Sequence, residues 1–379
     1  GADVIDGPFT YRELSPYYEE IEKLIGVAGD VAGIAAEPTL AHSPRRGPLP
    51  MPPGPPQYAS LLAAKGCQAL GLHPFIAPMA INSQRYDGRP ACNNCGFCSG
   101  YGWPINARVG ALAPLRRALD KGVELRTGAW AVRVNTDGRR ATSVTWDDRH
   151  GARHTERADQ VVLACMAIET VRLAKLSNLP DPHGVIGRYF MMHWLSYGTG
   201  IFLEERVHAS RGRSTTHVAD DFADPDFPGA RAAAAAAGLP YFRGGTMELG
   251  GSQSPIAEAG TYRTLLLAVK PDKPFGSDFK ELMRSSVLRE RLCGIQFVGE
   301  DLPYATNAVD LDPTVKDYRG LPVARITYSP GPHEIAVQRF YLPYLVEILQ
   351  RAGADFVTAV SDAISDQTPL ASGETPSSA

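Results

Sequence analysis

The sequence lacks the features that mark a membrane protein, a nucleic-acid-binding protein or a disulfide-bonded scaffold. No run approaches the roughly 18 apolar residues of a membrane-spanning helix. The formal net charge of -3 gives no reason to expect a nucleic acid or an anionic membrane as partner. Six cysteines in 379 residues are too few for a disulfide framework. Cys67, Cys165 and Cys293 lie in apolar contexts, which predicts buried thiols.

The sequence also lacks the motif that binds the diphosphate of a dinucleotide. That motif is a strand, then G-x-G-x-x-G, then a helix. Gly26, Gly29 and Gly33 have the wrong spacing, and no strand pattern precedes Gly100 and Gly102. The composition is nevertheless that of a folded globular protein, with 44% apolar and 21% charged residues.

The segment from Arg89 to Leu176 carries the clearest pattern. It ends in VVLACMAIETVRLAKLS, in which Val161–Ala164 predicts a buried strand and the following residues predict an amphipathic helix. A strand that leads through small residues into a helix can bring backbone N–H groups close to a phosphate or another electron-rich group. Because the joint contains no glycine, plain packing of strand against helix stays open as the alternative.

The remaining elements predict a mixed fold. Residues 129–157 read as a small antiparallel meander, and the segment after residue 193 reads as several strands with helices on one face. A long helix is predicted from His333 onwards, and the polar C-terminal tail predicts a loop. The fold class expected is therefore α/β plus α+β.

Six motifs occur in the order seen in the glucose–methanol–choline (GMC) oxidoreductases, and the chain resembles that family, especially its bacterial sugar and gluconate dehydrogenases. They are RPACNNCGFCSGYG, ELRTGAWAVRV, VVLACMAIETVRLAKLS, GVIGRYFMMH, GEDLPYATNAVDLDP and GLPVARITYS. The resemblance implies an FAD/NAD(P)-binding domain of GMC type and a mostly antiparallel substrate-binding domain. It assigns residues 1–193 to the central part of the FAD-binding domain, 194–353 to the substrate-binding α+β domain, and 354–379 to a return segment and polar tail.

The resemblance also implies FAD as cofactor. It points to Ala131, whose backbone would meet the adenine, and to Ala164 and Cys165 at the end of the predicted strand. Family members often have Ala-Gly or Ala-Ser where this chain has Cys165-Met166, and the bulk of Met166 argues against a close approach there.

No catalytic residue is assigned. The family's catalytic histidine follows a HxxGTxRMG-like stretch that this sequence does not contain, so the chain is expected to be the central part of a GMC enzyme, with a partner chain as one way to complete the fold. His193, at the end of GRYFMMH, is favoured as a structural residue, and His333 as a surface or capping residue. His150 and His154 lie in a polar hairpin and are expected to be solvated.

The three cysteines of the C-x2-C-x2-C motif, Cys92, Cys95 and Cys98, leave three alternatives open. They are structural or free thiols, a three-cysteine iron–sulfur cluster of the kind that some family members hold, or a zinc site, for which no fourth ligand is near. No metal site is assigned.

The function implied is oxidation of an alcohol or sugar hydroxyl by hydride transfer from carbon to FAD. The substrate is a small molecule, and the electrons pass to an external acceptor, which is a quinone, a cytochrome or oxygen. The alternatives are an oxidase that uses oxygen, and a non-catalytic remnant or interaction module that does not bind FAD.

Overall fold

The protein is described by a computed structural model. It describes residues 4–5, 7–36, 47–98, 105–208, 212–251, 259, 263, 266–267, 271–272, 275–362 and 370–371. In these residues, helices α1 to α8 span Tyr11–Ile25, Val31–Ala36, Tyr58–Ala69, Leu112–Asp120, Met166–Leu176, Ala230–Ala236, Ser277–Ser285 and Pro332–Arg351. Strands β1 to β12 span Phe75–Ile76, Trp130–Thr136, Ala141–Asp147, Arg153–Arg157, Trp194–Ile201, His217–Ala219, Gly245–Gly251, Leu292–Gly299, Ala308–Lys316, Pro322–Thr327, Phe356–Ser361 and Leu370–Ala371.

The chain divides into two compact units, and each is discontinuous in sequence. The meander unit contains the described residues of 1–6, 117–192 and 301–331. The sheet unit contains those of 7–116, 193–300 and 332–379. The functional division predicted at residues 193 and 353 stays a prediction.

The sheet unit is built on seven strands in the order β1-β6-β7-β8-β5-β11-β12, and every neighbouring pair is antiparallel. This confirms the predicted antiparallel sheet. In β8 the buried residues Cys293, Ile295 and Phe297 alternate with half-buried ones. Such period-2 burial arises when one face of a sheet is covered by helices.

Helices α3 and α8 cover that face. Tyr341 of α8 is fully buried and stacks on Phe222 with 4.3 Å between the ring centroids. The two helices approach closely at Gly66, where an added Cβ would collide with the carbonyl oxygen of Ile348. Fully burying each large apolar side chain contributes about 1.5–3 kcal/mol, so this interface is the main source of the unit's stability.

In the meander unit, β2, β3 and β4 form the antiparallel meander that the sequence predicts, and β9 and β10 form a hairpin. Helix α5 connects the two pieces. At its end, the Ser177 hydroxyl oxygen accepts a hydrogen bond from the Val134 backbone N–H at 2.9 Å and donates to the Leu173 carbonyl at 2.6 Å. This anchors α5 to β2.

Arg172 anchors α5 to the hairpin. Its Nη2 lies 2.6 Å from Oδ2 of Asp317, and its Nε donates to the carbonyl of Pro322 at 2.8 Å. Both charged side chains are largely buried, with 6% and 13% exposure. Burial acts to raise the pKa of Asp317, but the Arg172 hydrogen bond and the backbone N–H groups of the turn outweigh it, and the pKa lies below its ordinary value.

The predicted strand at Val161–Ala164 is wrong. The four residues adopt no strand, and Val162 is 85% exposed. A strand is stable only when its N–H and C=O groups pair with a neighbour, and no described strand pairs with this segment. Among the named strands of the described residues, none pairs in parallel.

Within the part of the chain that the structure describes, no helix combines the length and the apolar character needed to cross a bilayer.

We predict that Asp317→Asn lowers the free energy of unfolding at neutral pH by about 1–3 kcal/mol, because it leaves the buried Arg172 guanidinium with only the half-exposed Glu169 carboxylate, at 3.2 Å, as counter-charge. The depressed pKa means that the wild-type carboxylate contributes stability above its unfolded pKa and loses it as pH falls through the folded value. The mutant's deficit should therefore shrink in acid. Urea unfolding followed by tryptophan fluorescence measures both effects.

The matched control is Asp310→Asn, since Asp310 pairs with Arg325 in the same unit with both side chains more than two-fifths exposed. Exposed pairs contribute less than about 1 kcal/mol. Equal losses in the two mutants would contradict the role given to Arg172.

Candidate functional site

The face of the sheet opposite α3 and α8 carries a cavity of about 700 Å³ inside the sheet unit. In β7, the buried Met247 and Leu249 face the core, so Thr246 and Glu248 face the cavity. The strands supply polar groups to its lining, while apolar side chains and the segment 77–81 form much of the rest. The lining residues are Ile34, Phe75, Ala77, Pro78, Met79, Ala80, Ile81, Cys98, Arg108, Ser214, Thr215, Val218, Asp220, Thr246 and Glu248.

Two carboxyl groups in this lining have perturbed protonation. Burial raises the pKa of Glu248. Burial also raises the pKa of Asp220, and the neighbouring charge of Asp221 adds to the rise, while a hydrogen bond donated by the Thr246 hydroxyl at 2.7 Å opposes it. Among the described residues, no cation lies within salt-bridge distance of Asp220 or Glu248.

A polar row continues across the same face of the sheet. Glu248 of β7 pairs in register with Gln296 of β8, which pairs with Tyr197 of β5. Burial raises the pKa of Tyr197, and the charges of Asp362 and Glu248 contribute further. The face therefore offers hydroxyl, amide and carboxylate groups side by side, which are the groups that bind sugar and alcohol hydroxyls.

Sequence reasoning missed Asp220 and Glu248. The signal was present in GTMELGG, where apolar and polar residues alternate as in a half-buried strand. The sequence did not predict the position of β7 inside the sheet, nor which face of the sheet the helices cover.

A second cavity, of about 410 Å³, lies in the meander unit and includes Ala131 in its lining. Ala131 pairs in register with Trp146 of β3, whose ring stacks on His154 at a centroid distance of 4.3 Å. The Arg126 guanidinium lies 5.3 Å from the Trp146 ring centroid. Small apolar, aromatic and charged groups together line the cavity. The lining residues are Glu124, Arg126, Ala129, Ala131, Val144, Trp146 and Glu156.

Ala164 and Cys165 do not line that cavity. They lie exposed at the N-terminus of α5. The prediction that Cys165 is a buried thiol is wrong, because the strand expected before it does not form, whereas Cys67 and Cys293 are fully buried as predicted. Whether Ala131, Ala164 and Cys165 contact FAD stays a prediction.

Met166, the first residue of α5, has a φ of 63°. This left-handed conformation suits glycine and costs a residue with a Cβ roughly 1–2 kcal/mol. The side chain of Met166 is 84% exposed, so it gains little by packing. The backbone conformation at this position is therefore better suited to glycine than to methionine.

The C-x2-C-x2-C cysteines are free and half-buried. Burial raises the pKa of the Cys98 thiol, Cys92 and Cys95 add to the rise, and Arg108 opposes it, so the three thiols interact. In the described part of the chain, no three His, Cys, Asp or Glu side chains are grouped so as to hold a metal ion. The three alternatives given for these cysteines stay predictions.

The position of His333 in the structure differs from the one predicted from the sequence. It was predicted to be a surface or capping residue, but it is 2% exposed, and its Nε2 accepts a hydrogen bond from the Arg243 N–H at 3.4 Å. A polar residue at the start of α8 becomes buried because α8 packs along the sheet over its whole length.

Comparison with known proteins identifies a family. The family model for GMC oxidoreductases matches residues 7–195. The chain is 27% identical to the gluconate 2-dehydrogenase flavoprotein of Pantoea cypripedii, covering 92% of this chain and 58% of that protein. It is 27% identical to the 2-methyl-1,2-propanediol dehydrogenase of Mycolicibacterium austroafricanum, over 92% of this chain and 61% of that protein.

The paromamine 6'-oxidase of Streptomyces fradiae is 29% identical, over 92% of this chain and 58% of that protein. The chain thus spans less than two thirds of the length of these relatives. A solved FAD-dependent oxidoreductase from Chaetomium thermophilum aligns with 78% of this chain and 55% of that chain at 10% identity, with a TM-score of 0.37.

We predict that Met166→Gly stabilises the protein by up to about 1 kcal/mol. Glycine adopts a positive φ without the Cβ penalty, and this gain is partly offset because glycine also raises the conformational entropy of the unfolded chain. Met166→Ala is the control, since it removes the same exposed side chain and keeps the penalty. Urea unfolding compares the two, and a glycine variant no more stable than the alanine variant would refute the strain.

We predict that Glu248→Gln and Asp220→Asn raise the free energy of unfolding at neutral pH by less than about 1 kcal/mol. A carboxyl with a raised folded pKa holds its proton more tightly in the native state, so its stabilising contribution is present in acid and is lost as pH rises through the folded value. The gain of the variants should therefore vanish in acid. Thermal melting across pH measures it, and variants less stable than wild type at neutral pH would contradict it.

Proposed function

We propose, on the premise that residues 7–195 of this chain belong to the GMC oxidoreductase family, that the chain is part of an FAD-dependent enzyme that oxidises an alcohol or sugar hydroxyl. The family match carries the proposal. It is supported by relatives named as a gluconate 2-dehydrogenase flavoprotein, a 2-methyl-1,2-propanediol dehydrogenase and a paromamine 6'-oxidase. FAD, when bound, supplies the acceptor for the hydride that leaves the carbinol carbon.

The cavity at Ala131 fits the adenosine end of the cofactor. Its volume of about 410 Å³ lies in the range of small-molecule pockets, and Val144 and Trp146 supply apolar surface to its lining. The small side chain of Ala131 leaves its backbone accessible. We assign Ala131, Ala164 and Cys165 to backbone contacts with FAD.

The chain supplies no diphosphate-binding motif, since G-x-G-x-x-G is absent from its 379 residues. We therefore expect another polypeptide segment or a partner chain to hold the diphosphate, and FAD affinity of this chain alone to be low. The base that takes the hydroxyl proton is not assigned to any histidine of this chain.

We place the substrate in the 700 Å³ cavity of the sheet unit. Its carboxylates and hydroxyls orient a polyhydroxylated molecule by accepting hydrogen bonds, while Phe75 and Val218 give the apolar surface on which the C–H face of a sugar packs. The contribution of this chain is therefore to position the carbinol group.

The proposal predicts that FAD quenches tryptophan fluorescence in a saturable way, because Trp146 lines the cavity that the adenine enters. Ala131→Trp should weaken this binding at least about tenfold by filling the cavity. Once the polypeptide that holds the diphosphate is also present, the flavin-loaded protein should lose its visible absorbance when gluconate, fructose, 2-methyl-1,2-propanediol or paromamine is added without oxygen.

The matched control is Arg139→Trp, an exposed turn residue of the same meander outside the cavity, which should bind FAD like wild type. FAD binding unchanged by Ala131→Trp would refute the cofactor placement. A bound flavin in that completed protein that stays oxidised with every alcohol and sugar would refute the reaction. Reoxidation of the reduced flavin by air, fast or slow, then separates an oxidase from a dehydrogenase.

A further inference from the structure

The loop that carries the C-x2-C-x2-C motif lies against one short segment of the sheet unit, which contains Gly212 and Ser214. The Cys92 sulfur accepts a hydrogen bond from the Asn94 backbone N–H at 3.3 Å. The Asn94 carbonyl in turn accepts one from the Gly212 N–H at 3.2 Å. The Ser214 N–H lies close enough to the Cys98 thiol to act against the rise of its pKa. The segment therefore runs beside both the first and the last cysteine of the motif.

Arg213, in the middle of that segment, places a buried cation next to these thiols. Its side chain is 3% exposed, and its Nε has no hydrogen-bond partner among the described residues. The guanidinium packs on Gly54, where an added Cβ would lie 1.5 Å from Nη2, and Nη2 donates to the Pro55 carbonyl at 3.1 Å. Burial lowers the pKa of Arg213, and the charges of Cys92 and Cys98 oppose that shift. A thiolate beside Arg213 would offset the cost of burying its charge.

The sulfurs of Cys92 and Cys98 have different surroundings. Burial raises the pKa of the Cys98 thiol, Cys92 adds more to the rise than Cys95 does, and Arg108 opposes it. Cys98 therefore keeps its proton at neutral pH, whereas the Cys92 sulfur accepts a backbone N–H and interacts with Arg213. An attacking thiolate and a protonated thiol close to it are the two parts of a reactive cysteine pair.

The other cysteines do not share this environment. Cys67 and Cys293 are fully buried, and burial raises the pKa of Cys293 to about 12 and holds that of Cys67 well above its ordinary value. Such thiols are inert, because the thiolate is the reactive form. Cys165 is exposed at the start of α5, away from the motif in the sequence. A thiol pair is therefore expected at the loop.

We propose that the loop is a peroxide-reactive site in which Cys92 and Cys98 form a reversible disulfide bond. The inference concerns the free-thiol state of the motif and does not depend on the proposed function. The Cys92 thiolate attacks one oxygen of hydrogen peroxide, the O–O bond breaks, and the departing hydroxide takes up a proton, which leaves a sulfenic acid and one water. The Cys98 sulfur then attacks the sulfenic sulfur, so that an S–S bond forms, the S–O and S–H bonds break, and a second water leaves.

The test uses the 379-residue chain with Cys165→Ser, which removes the exposed thiol. The protein is purified with dithiothreitol and an iron chelator, and both are then removed without oxygen. Hydrogen peroxide should abolish two of the five remaining thiols, counted in denaturant, and dithiothreitol should restore them. Chymotrypsin cleaves after Phe97 and so separates Cys98 from the other two cysteines of the motif. Mass spectrometry without reductant should then find the two peptides joined.

Cys92→Ser and Cys98→Ser should each abolish the bond, and the matched variant Cys95→Ser should keep it. Arg213→Met should slow the loss of thiols at least about tenfold because it removes the charge beside Cys92, whereas Arg213→Lys, which keeps the charge, should react within about threefold of the parent. An unchanged rate in Arg213→Met would overturn the role of the guanidinium. If that variant does not fold, the cysteine variants decide the proposal.

Three results would overturn the disulfide. They are five thiols that survive peroxide, a bond that requires Cys95, and Cys92 oxidised beyond the sulfenic acid without a bond to Cys98. Iron that stays bound through the chelator and leaves the three thiols unreactive would also overturn it, since the motif would then serve a metal.

Discussion

The packing of α8 and α3 on one face of the antiparallel sheet is the constraint on which the rest of the sheet unit depends. Because side chains alternate along a strand, burying Met247 and Leu249 under the helices leaves Glu248 on the opposite face. A slip of one residue in the register of β7 would exchange the two sets and place a carboxylate in the apolar core. The position of the cavity carboxylates is thus a consequence of core packing rather than of a local motif.

The two units use acidic residues in opposite ways. In the meander unit, Asp317 stabilises the fold because Arg172 neutralises it and holds α5 against the hairpin. In the sheet unit, Glu248 has no such partner, and burial works against its ionisation. Proteins keep destabilising groups mainly where function needs them, so the same residue type marks structure in one unit and a candidate site in the other.

Structural features that depend on residues close together in the sequence, such as helix caps and hairpins, were predictable from the sequence. The Thr-x-x-Glu spacing of Thr10 and Glu13 is typical of a capping box, and both of its hydrogen bonds form at the start of α1. The meander and the long final helix were predictable for the same reason. The cavity was not, since it requires the order of seven strands drawn from distant parts of the chain.

The segment Val161–Ala164 shows where pattern alone misleads. Its apolar residues satisfy every local criterion for a buried strand, yet the segment is unpaired in the described residues, and Val162 remains exposed. Burial of a strand is a property of its neighbours, and none of the described strands lies beside it. The left-handed Met166 that follows belongs to the same joint. An apolar pattern therefore predicts a strand only where a neighbouring strand can pair with its N–H and C=O groups.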